Sequence, residues 1–169
     1  MTAPRVLIQT GDFDLTAEVA ALRAGDGRVG AVCAFVGTVR DFSDGQPVSA
    51  LELEHYPGMT EKAIEAMIDE AERRFGIYAA RVIHRVGPLQ ALDQIVLVAV
   101  TSAHRADSFR ACEFLIDYLK TQAPFWKKEQ TPEGATRWVD ARAADDAALA
   151  RWGMAAGKAI RHEEADEPL

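Results

Sequence analysis

The sequence HRADSFRACEFLIDYLKTQAPFWKKE, from His104 to Glu129, places a long helix directly before a strand. Apolar residues recur at helical spacing between Ala106 and Gln122, and Pro124 prevents the helix from continuing. The segments Phe125 to Gln130 and Thr136 to Ala141 then read as a hairpin with a longer loop. The helical stripe predicted to face the core consists of Phe109, Cys112, Leu115, Ile116 and Leu119.

Upstream of this stretch, predicted strands and helices follow in an order that mixes hairpins with helical crossovers. The order indicates an α+β fold rather than a doubly wound one. We expect one domain over residues 1–145 and a C-terminal extension over residues 146–169, partly helical and then frayed. Asp41 to Pro47 is predicted to be an exposed loop, and Gly87-Pro88 a turn. The predicted strands are 5–9, 29–40, 50–56, 80–86 and 94–101, and the predicted helices are 15–23 and 60–75, the latter capped by Thr60.

Composition and charge exclude several classes of function. The 169 residues are 49% hydrophobic and 27% charged, which is ordinary for a globular protein. The formal net charge of −7 argues against nucleic acid or an anionic membrane as the main partner. The N-terminal apolar run is too short for a signal peptide, and no run approaches transmembrane length. We therefore expect a cytoplasmic protein.

The sequence gives no support for a metal, a nucleotide cofactor or a cysteine nucleophile. Cys33 and Cys112 lie far apart and each fits a buried core thiol. The four histidines lack paired metal-ligand spacing. No glycine-rich phosphate loop follows a predicted strand. We therefore expect no cofactor and no metal.

Lysines near the end of the long helix are the first candidates for chemistry. At 100° per residue, Lys120 falls roughly 20° from Phe109, at the edge of the apolar stripe. Two interpretations remain open: the stem lies over the core with its ammonium in water, or a partly desolvated amine donates, accepts or attacks. Lys127 and Lys128 point to opposite faces of the next strand, so only one can readily share a site with Lys120.

Cationic residues at two other positions suit an anionic ligand. His104 and Arg105 open the long helix, where the helix N-terminus and a cation together favour an anion such as phosphate. The same pair also fits a simple helix start. Arg40 ends the run VGAVCAFVGTVR and can either reach a ligand or remain a solvated charge.

Four runs in a fixed order resemble a known family. They cover most of the chain, from about Val6 to Arg142, and the last two are the most specific. The runs are GAVCAFVGTVR (Gly30 to Arg40), LELEHYPGMT (Leu51 to Thr60), HR (His104 and Arg105) and LKTQAPFWKKE (Leu119 to Glu129). Together they resemble the molybdopterin synthase large-subunit family.

This resemblance implies a fold, an assembly and a reaction. The expected fold is an α/β hammerhead core with an additional antiparallel β subdomain. Two large subunits form a homodimer, and a small ubiquitin-like subunit docks at each end to give a heterotetramer. The C-terminal Gly-Gly thiocarboxylate of the small subunit supplies sulfur in two transfers, which convert cyclic pyranopterin monophosphate (precursor Z) to molybdopterin.

The resemblance also assigns roles to individual residues. Lys120 and Lys127 match the family's catalytic lysines. Arg40, His104 and Arg105 match residues that bind the pterin and its phosphate. Phe35 matches an aromatic residue near the pocket. In the family some of these residues act across the dimer interface, and the resemblance does not say which.

Two other functions remain as alternatives. A non-catalytic adaptor that binds a ubiquitin-like partner would also present a groove for an extended Gly-Gly tail. A phosphate-ligand enzyme unrelated to sulfur transfer would share Arg40, His104 and Arg105. The adaptor requires neither Lys120 at the edge of an apolar stripe nor an anion-binding helix start. The unrelated enzyme requires no small protein partner.

Overall fold

The computed structural model describes residues 3–43, 45–139, 147–148 and 150–153. Its elements confirm the predicted order, with boundaries that agree to within about two residues for most of them. In chain order they are β1 (Val6–Gln9), α1 (Leu15–Arg23), β2 (Ala31–Thr38), β3 (Phe42–Ser43), β4 (Gln46–Pro47), β5 (Ala50–His55), α2 (Met59–Phe75), β6 (Ala79–Arg85), β7 (Gly87–Gln90), β8 (Gln94–Ser102), α3 (Arg105–Thr121), β9 (Phe125–Gln130) and β10 (Thr136–Val139).

Two four-stranded sheets form the framework. The first has the order β1-β6-β8-β2, in which β1 and β6 are parallel and the other pairs are antiparallel. The second has the order β10-β9-β5-β7 and is antiparallel throughout. Helices and hairpins are mixed as predicted, so the α+β class is confirmed.

The first sheet is covered by helices on both faces. Alternate residues of β8 separate the two faces: Val98 packs with α2 and α3, whereas Leu97 packs on the side of α1. In α2, one face buries Ile64, Ile68 and Ala71 completely or nearly so. This face and the buried face of α3 form the largest core. We therefore find the main hydrophobic core between the first sheet and the helix pair α2 and α3.

Two segments differ from the prediction. Residues predicted as the loop Asp41 to Pro47 include the two-residue strands β3 and β4, which pair with each other. Gly87-Pro88, predicted as a turn, begins β7, which pairs with β5 and buries Leu89. Gly87 has a φ of 80°, so glycine allows the chain to turn sharply from β6 into β7. Strand pairing in tertiary structure outweighs the local turn signal here.

Part of the C-terminal extension packs on the helix pair. Trp152 contacts Phe75 and Phe114 edge to face, with ring centroids 5.6 Å apart in both cases. Its indole Nε1 donates to Asp117 Oδ2 at 2.7 Å. The helix predicted after Asp145 falls mostly outside the described residues. None of the helices in the described ranges is long and apolar enough to span a membrane.

Candidate functional site

Lys120 lies in the last turn of α3 on its exposed side. The buried face of α3 is centred on Ala111 and Leu115, and Lys120 lies about 180° around the helix from Ala111. Phe109, predicted to be part of the buried stripe, is 61% exposed, so that prediction was wrong. Ser108 is buried in its place because its hydroxyl is bonded to Ser102 Oγ at 2.6 Å. The amine of Lys120 is therefore accessible to a ligand.

Strand β9 places Lys127 and Lys128 on opposite faces, as predicted. Lys127 is half-buried and lies on the same face as Phe125 and Glu129. Lys128 lies on the other face, with its Nζ 5.3 Å from the centre of the Trp138 ring. The two neighbouring lysines therefore have different surroundings.

His84 is a buried histidine that is affected by the charges of both predicted catalytic lysines. Its ring is buried and stacks on Phe125 with centroids 3.8 Å apart and planes inclined by 18°. The pKa of His84 is lowered to about 4, chiefly by burial and to a smaller extent by the positive charges of Lys120 and Lys127. An electrostatic effect of this kind requires the two lysines to lie near the imidazole. Both lysines therefore lie within electrostatic range of an uncharged histidine.

A hydrogen-bonded bridge holds the segment between the two lysines. Thr60, predicted as the cap of α2, instead lies just inside the helix and is fully buried. Its Oγ1 accepts from the N–H of Tyr56 at 3.1 Å and donates to the carbonyl of Pro124 at 3.1 Å. The carboxylate of Glu61 takes the capping role by accepting from the N–H of Gly58 at 2.6 Å. The start of α2 thereby fixes the connection from α3 to β9.

His104 and Arg105 lie at the opposite end of α3 from Lys120. Both are exposed, and His104 is the N-cap residue with its backbone extended. Arg105 and Lys120 are 15 residues apart on one helix, which separates them by about 22 Å along the axis. Within a single chain, the predicted anion-binding pair and the lysine pair are therefore not brought together.

Arg40 and Phe35 are both associated with β2. Phe35 is half-buried and packs against the main core. Arg40 is exposed and follows Val39, which is 3% exposed and is tied to the β7–β8 turn by backbone hydrogen bonds to Leu92 and Asp93. The anchored Val39 fixes where Arg40 leaves the sheet. The described contacts do not place either residue beside Lys120.

An ion pair between a buried carboxylate and a partly exposed arginine joins β9 and β10 to the hairpin that follows Arg40. Glu129 is 5% exposed, and its Oε2 accepts from Nε and Nη2 of Arg137 at 3.0 and 2.9 Å. The same Nη2 donates to the carbonyl of Ser43 at 3.1 Å. One arginine therefore fixes the lysine-bearing strand β9 relative to the β3–β4 hairpin.

Replacing Arg137 with methionine is expected to destabilise the protein, because it leaves the buried carboxylate of Glu129 without its cation. We expect a loss of about 2 kcal/mol, less than a fully buried pair would cost, because the Arg137 side chain is 38% exposed. Urea unfolding measures the change. Arg73→Met is the control, since Arg73 is 70% exposed and its loss should leave the free energy of unfolding nearly unchanged. Equal losses of unfolding free energy in the two variants would contradict a stabilising role for the Glu129–Arg137 pair.

Sequence reasoning missed His84 and the pair Glu129–Arg137. A signal for His84 was present, because it follows Ala80 and Val82 at strand spacing on the face that packs against the main core. A histidine at the end of such a face must find a polar partner or remain uncharged. The pair Glu129–Arg137 follows from the hairpin register, in which these two residues lie opposite each other.

The thiols and other ligand types add no second site. Cys112 is buried against Cys33, and burial raises the pKa of its thiol, so it suits packing rather than nucleophilic attack. Among the residues that the structure describes, no three histidine, cysteine or carboxylate side chains come together as metal ligands would. The lysine pair is thus the most distinctive chemical group in the described part of the chain.

Comparison with known proteins supports the family resemblance. Residues 8–122 match the family model described as MoaE protein. The chain is similar to the molybdopterin synthase catalytic subunit of Ralstonia nicotianae, with 62% identity over 151 residues that cover 89% of this chain and 85% of that one.

Solved structures give the same result. The molybdopterin biosynthesis MoaE protein from Burkholderia ambifaria superposes with a TM-score of 0.76 at 60% identity, covering 90% of this chain and 99% of that one. The molybdopterin synthase from Staphylococcus aureus superposes with a TM-score of 0.73 at 34% identity, covering 79% and 96%.

Proposed function

This chain belongs to the MoaE protein family and is the catalytic subunit of a molybdopterin synthase, and we propose that Lys120 and Lys127 carry its chemistry. The enzyme is a sulfur transferase of molybdenum cofactor biosynthesis. It converts cyclic pyranopterin monophosphate to molybdopterin with sulfur from the C-terminal thiocarboxylate of a small ubiquitin-like subunit. The observation that supports the residue assignment is that the charges of both lysines act on the same buried residue, His84.

The two lysines suit different parts of a sulfur transfer. We propose that the exposed Lys120 handles proton transfer or a covalent step during thiocarboxylate attack and ring opening. Lys127 is half-buried, so its positive charge is less screened by water and stabilises the negative charge that develops. Because sulfur arrives on the partner's tail, the reaction needs no thiol from this chain, which agrees with the burial of Cys112.

We propose that the complete site forms between two copies of this chain. Arg40, His104 and Arg105 bind the pterin and its phosphate, and Phe35 lies against the pocket. Because α3 separates Arg105 from Lys120 by about 22 Å, a small substrate cannot contact both within one chain. A homodimer in which Arg105 of the partner subunit faces Lys120 resolves the separation.

Mixed dimers test this arrangement. A dimer of one Lys120→Ala chain and one Arg105→Ala chain has one site with both changes and one with neither, so we expect about half of wild-type activity. Either parent homodimer should have little activity. A dimer of one Lys120→Ala chain and one Lys127→Ala chain is the control. Both lysines of a site come from the same chain, so each of the two sites carries one of the changes and neither site is intact. Dithiolene formation by purified mixed dimers is the measurement, and no gain over the parents would contradict a shared site.

Three further features complete the proposal. The two sheets and three helices suit an α/β hammerhead core in which the antiparallel β10-β9-β5-β7 sheet is the additional subdomain. Residues 1–145 form the functional domain, and residues 146–169 are an extension outside it. The expected location is the cytoplasm, where the small subunit and the pterin reach this chain by diffusion.

Reconstitution distinguishes the synthase from the alternatives. Purified chain, thiocarboxylated small subunit and pyranopterin monophosphate are combined, and each is omitted in turn while dithiolene product is measured. Product only with all three present is the expected result. Binding of the small subunit without product would indicate the adaptor, and turnover without the small subunit would indicate an unrelated phosphate-ligand enzyme.

A further inference from the structure

Two buried serines lie where β8 ends and α3 begins. Ser102 is the last residue of β8 and is 0% exposed, and Ser108 lies one turn into α3 and is 1% exposed. Burial of a hydroxyl group costs free energy unless the group is hydrogen-bonded, and alanine would fill nearly the same space without that cost. The presence of both serines therefore needs an explanation beyond packing.

The two hydroxyl groups form a hydrogen-bonded chain that ends on the backbone of His104. Ser102 Oγ lies 2.6 Å from the carbonyl oxygen of His104 and 2.6 Å from Ser108 Oγ. A carbonyl oxygen only accepts, so Ser102 donates its proton to His104 and Ser108 donates its own to Ser102. Hydrogen bonds in such a chain polarise and strengthen one another. Ser108 therefore reinforces the bond from Ser102 to His104.

The carbonyl of His104 determines the direction in which α3 starts. His104 is the N-cap residue, with a φ of −129° and a ψ of 145°, and its side chain makes no capping hydrogen bond. Its carbonyl also accepts the first hydrogen bond of the helix, from the N–H of Ser108 at 3.5 Å, which is longer than a typical bond of this kind. The much shorter bond from Ser102 is therefore the stronger restraint on the His104 carbonyl.

The start of β2 packs closely against the same junction. The N–H of Gly30 donates to the carbonyl of Ser102 at 3.0 Å, and a Cβ at Gly30 would lie 2.3 Å from the carbonyl oxygen of Ala103. Only glycine allows this close approach. The segment from Ser102 to His104 is therefore held by β2 on one side and by the serine hydroxyls on the other.

We propose that Ser102 is a positioning residue for substrate binding: through the carbonyl of His104 it sets the orientation in which His104 and Arg105 meet the phosphate of the pterin. Both side chains are exposed, so the backbone that carries them determines where they point. This role rests on the proposed function of His104 and Arg105, whereas the hydrogen bonds of Ser102 do not. Because Lys120 lies at the other end of α3, Ser102 acts on binding and not on sulfur transfer itself.

Ser102→Ala should weaken substrate binding and leave the chemical step unchanged. The concentration of pyranopterin monophosphate at half-maximal rate should rise about tenfold, while the maximal single-turnover rate stays within about twofold of the wild type. Reconstituted enzyme with excess thiocarboxylated small subunit gives both values. Thr101→Val is the matched control: Thr101 is the adjacent residue of β8, is equally buried, and its Oγ1 has no hydrogen-bond partner in the described part of the chain. Both values should stay at the wild-type level in this control.

Two further variants separate hydrogen bonding from packing. Ser102→Cys nearly keeps the size of the side chain but supplies only a weak donor, so it should behave like Ser102→Ala and replaces it if the alanine variant does not fold. Ser108→Ala keeps the bond from Ser102 to His104, so the half-maximal concentration should rise only about threefold or less. A wild-type half-maximal concentration in Ser102→Cys, or a fall in maximal rate without a change in that concentration, would overturn the proposal.

Mixed dimers show which site Ser102 acts on. A dimer of one Ser102→Ala chain and one Lys120→Ala chain has one site whose His104 and Arg105 come from the Lys120→Ala chain, so its activity should show the wild-type half-maximal concentration. A dimer of Ser102→Ala with Arg105→Ala has no such site and should show the raised concentration. If Arg105→Ala with Lys120→Ala restores activity and the first dimer still shows the raised concentration, the proposal is overturned.

Amide hydrogen exchange tests the restraint without any substrate. Loss of the bond from Ser102 should let the first turn of α3 fray, so exchange of the Ser108 N–H should be at least about tenfold faster in Ser102→Ala. NMR of the labelled full chain measures it, with the N–H of Gly76 at the end of α2 as the internal control. Unchanged exchange at Ser108 would overturn the proposal. If wild-type chain makes no dithiolene, the proposed function fails, whereas the exchange rates still decide whether Ser102 restrains the start of α3.

Discussion

Replacement of Lys120 with alanine is expected to abolish dithiolene formation while leaving the fold intact. Lys120 is exposed at the end of α3, opposite the buried face, so its loss removes no core packing. A group that transfers a proton or forms a covalent bond in the reaction contributes a rate factor of about 100 or more. Single-turnover formation of product from the reconstituted complex measures the loss.

Controls for this variant separate chemistry from assembly. Thermal unfolding of Lys120→Ala should match that of the wild type, and the variant should still bind the small subunit. Lys120→Arg keeps the positive charge but cannot readily lose a proton, so it should remain largely inactive if proton transfer or covalent attack is the role. Near-normal turnover by Lys120→Ala would refute the assignment.

The adjacent lysines of β9 give a second large and well-controlled effect. Lys127→Ala should slow product formation by about 100-fold, because on the proposed assignment this half-buried charge stabilises the negative charge that develops in the reaction. Lys128→Ala should remain within about twofold of the wild-type rate, since Lys128 lies over Trp138 on the other face of the strand. The rates of both variants are measured in the same single-turnover assay.

Stability provides an independent check on the same two variants. Lys128→Ala loses a contact between its ammonium and an aromatic ring, which should cost about 0.5–1 kcal/mol in unfolding free energy. A similar loss of activity in both variants would show that β9 responds to any substitution. The proposed difference in function between the two faces of β9 would then be wrong.

Local patterns predicted the elements and the separation of Lys127 from Lys128 for clear physical reasons. Strand alternation has a period of two regardless of context, so two successive lysines must diverge. Helix α1 has the predicted limits, and its cap Asp14 accepts from the N–H of Ala17 at 3.0 Å. The end of α2 at Gly76 is also local, since this residue has a φ of 65°.

Features that depend on tertiary contacts were not predictable in the same way. Phe109 fits an apolar stripe by spacing, but the sheet contacts a face of α3 that is rotated away from it. Strand β7 exists because β5 offers a pairing edge, which no local pattern in Gly87-Pro88 reveals. His84 lies near Lys120 and Lys127 only because two sheets meet. Each case involves residues far apart in the chain.

The separation of Arg105 from Lys120 has a broader consequence for the site. The sequence places these residues at the two ends of one helix, and helix geometry alone then keeps them about 22 Å apart. Motif matching groups them as one site without regard to that distance. On the proposed assignment, in which both residues contact one substrate, a second copy of the chain completes the pocket.

The central claim is that this chain catalyses sulfur transfer from the small subunit to the pterin. The most direct test counts thiocarboxylate consumed per dithiolene formed, with this chain present in catalytic amount and small subunit in excess. We expect two thiocarboxylates to be consumed for each product, and no product when this chain is omitted or carries Lys120→Ala. Product formed at an equal rate without the chain, or thiocarboxylate that remains intact in its presence, would contradict the account.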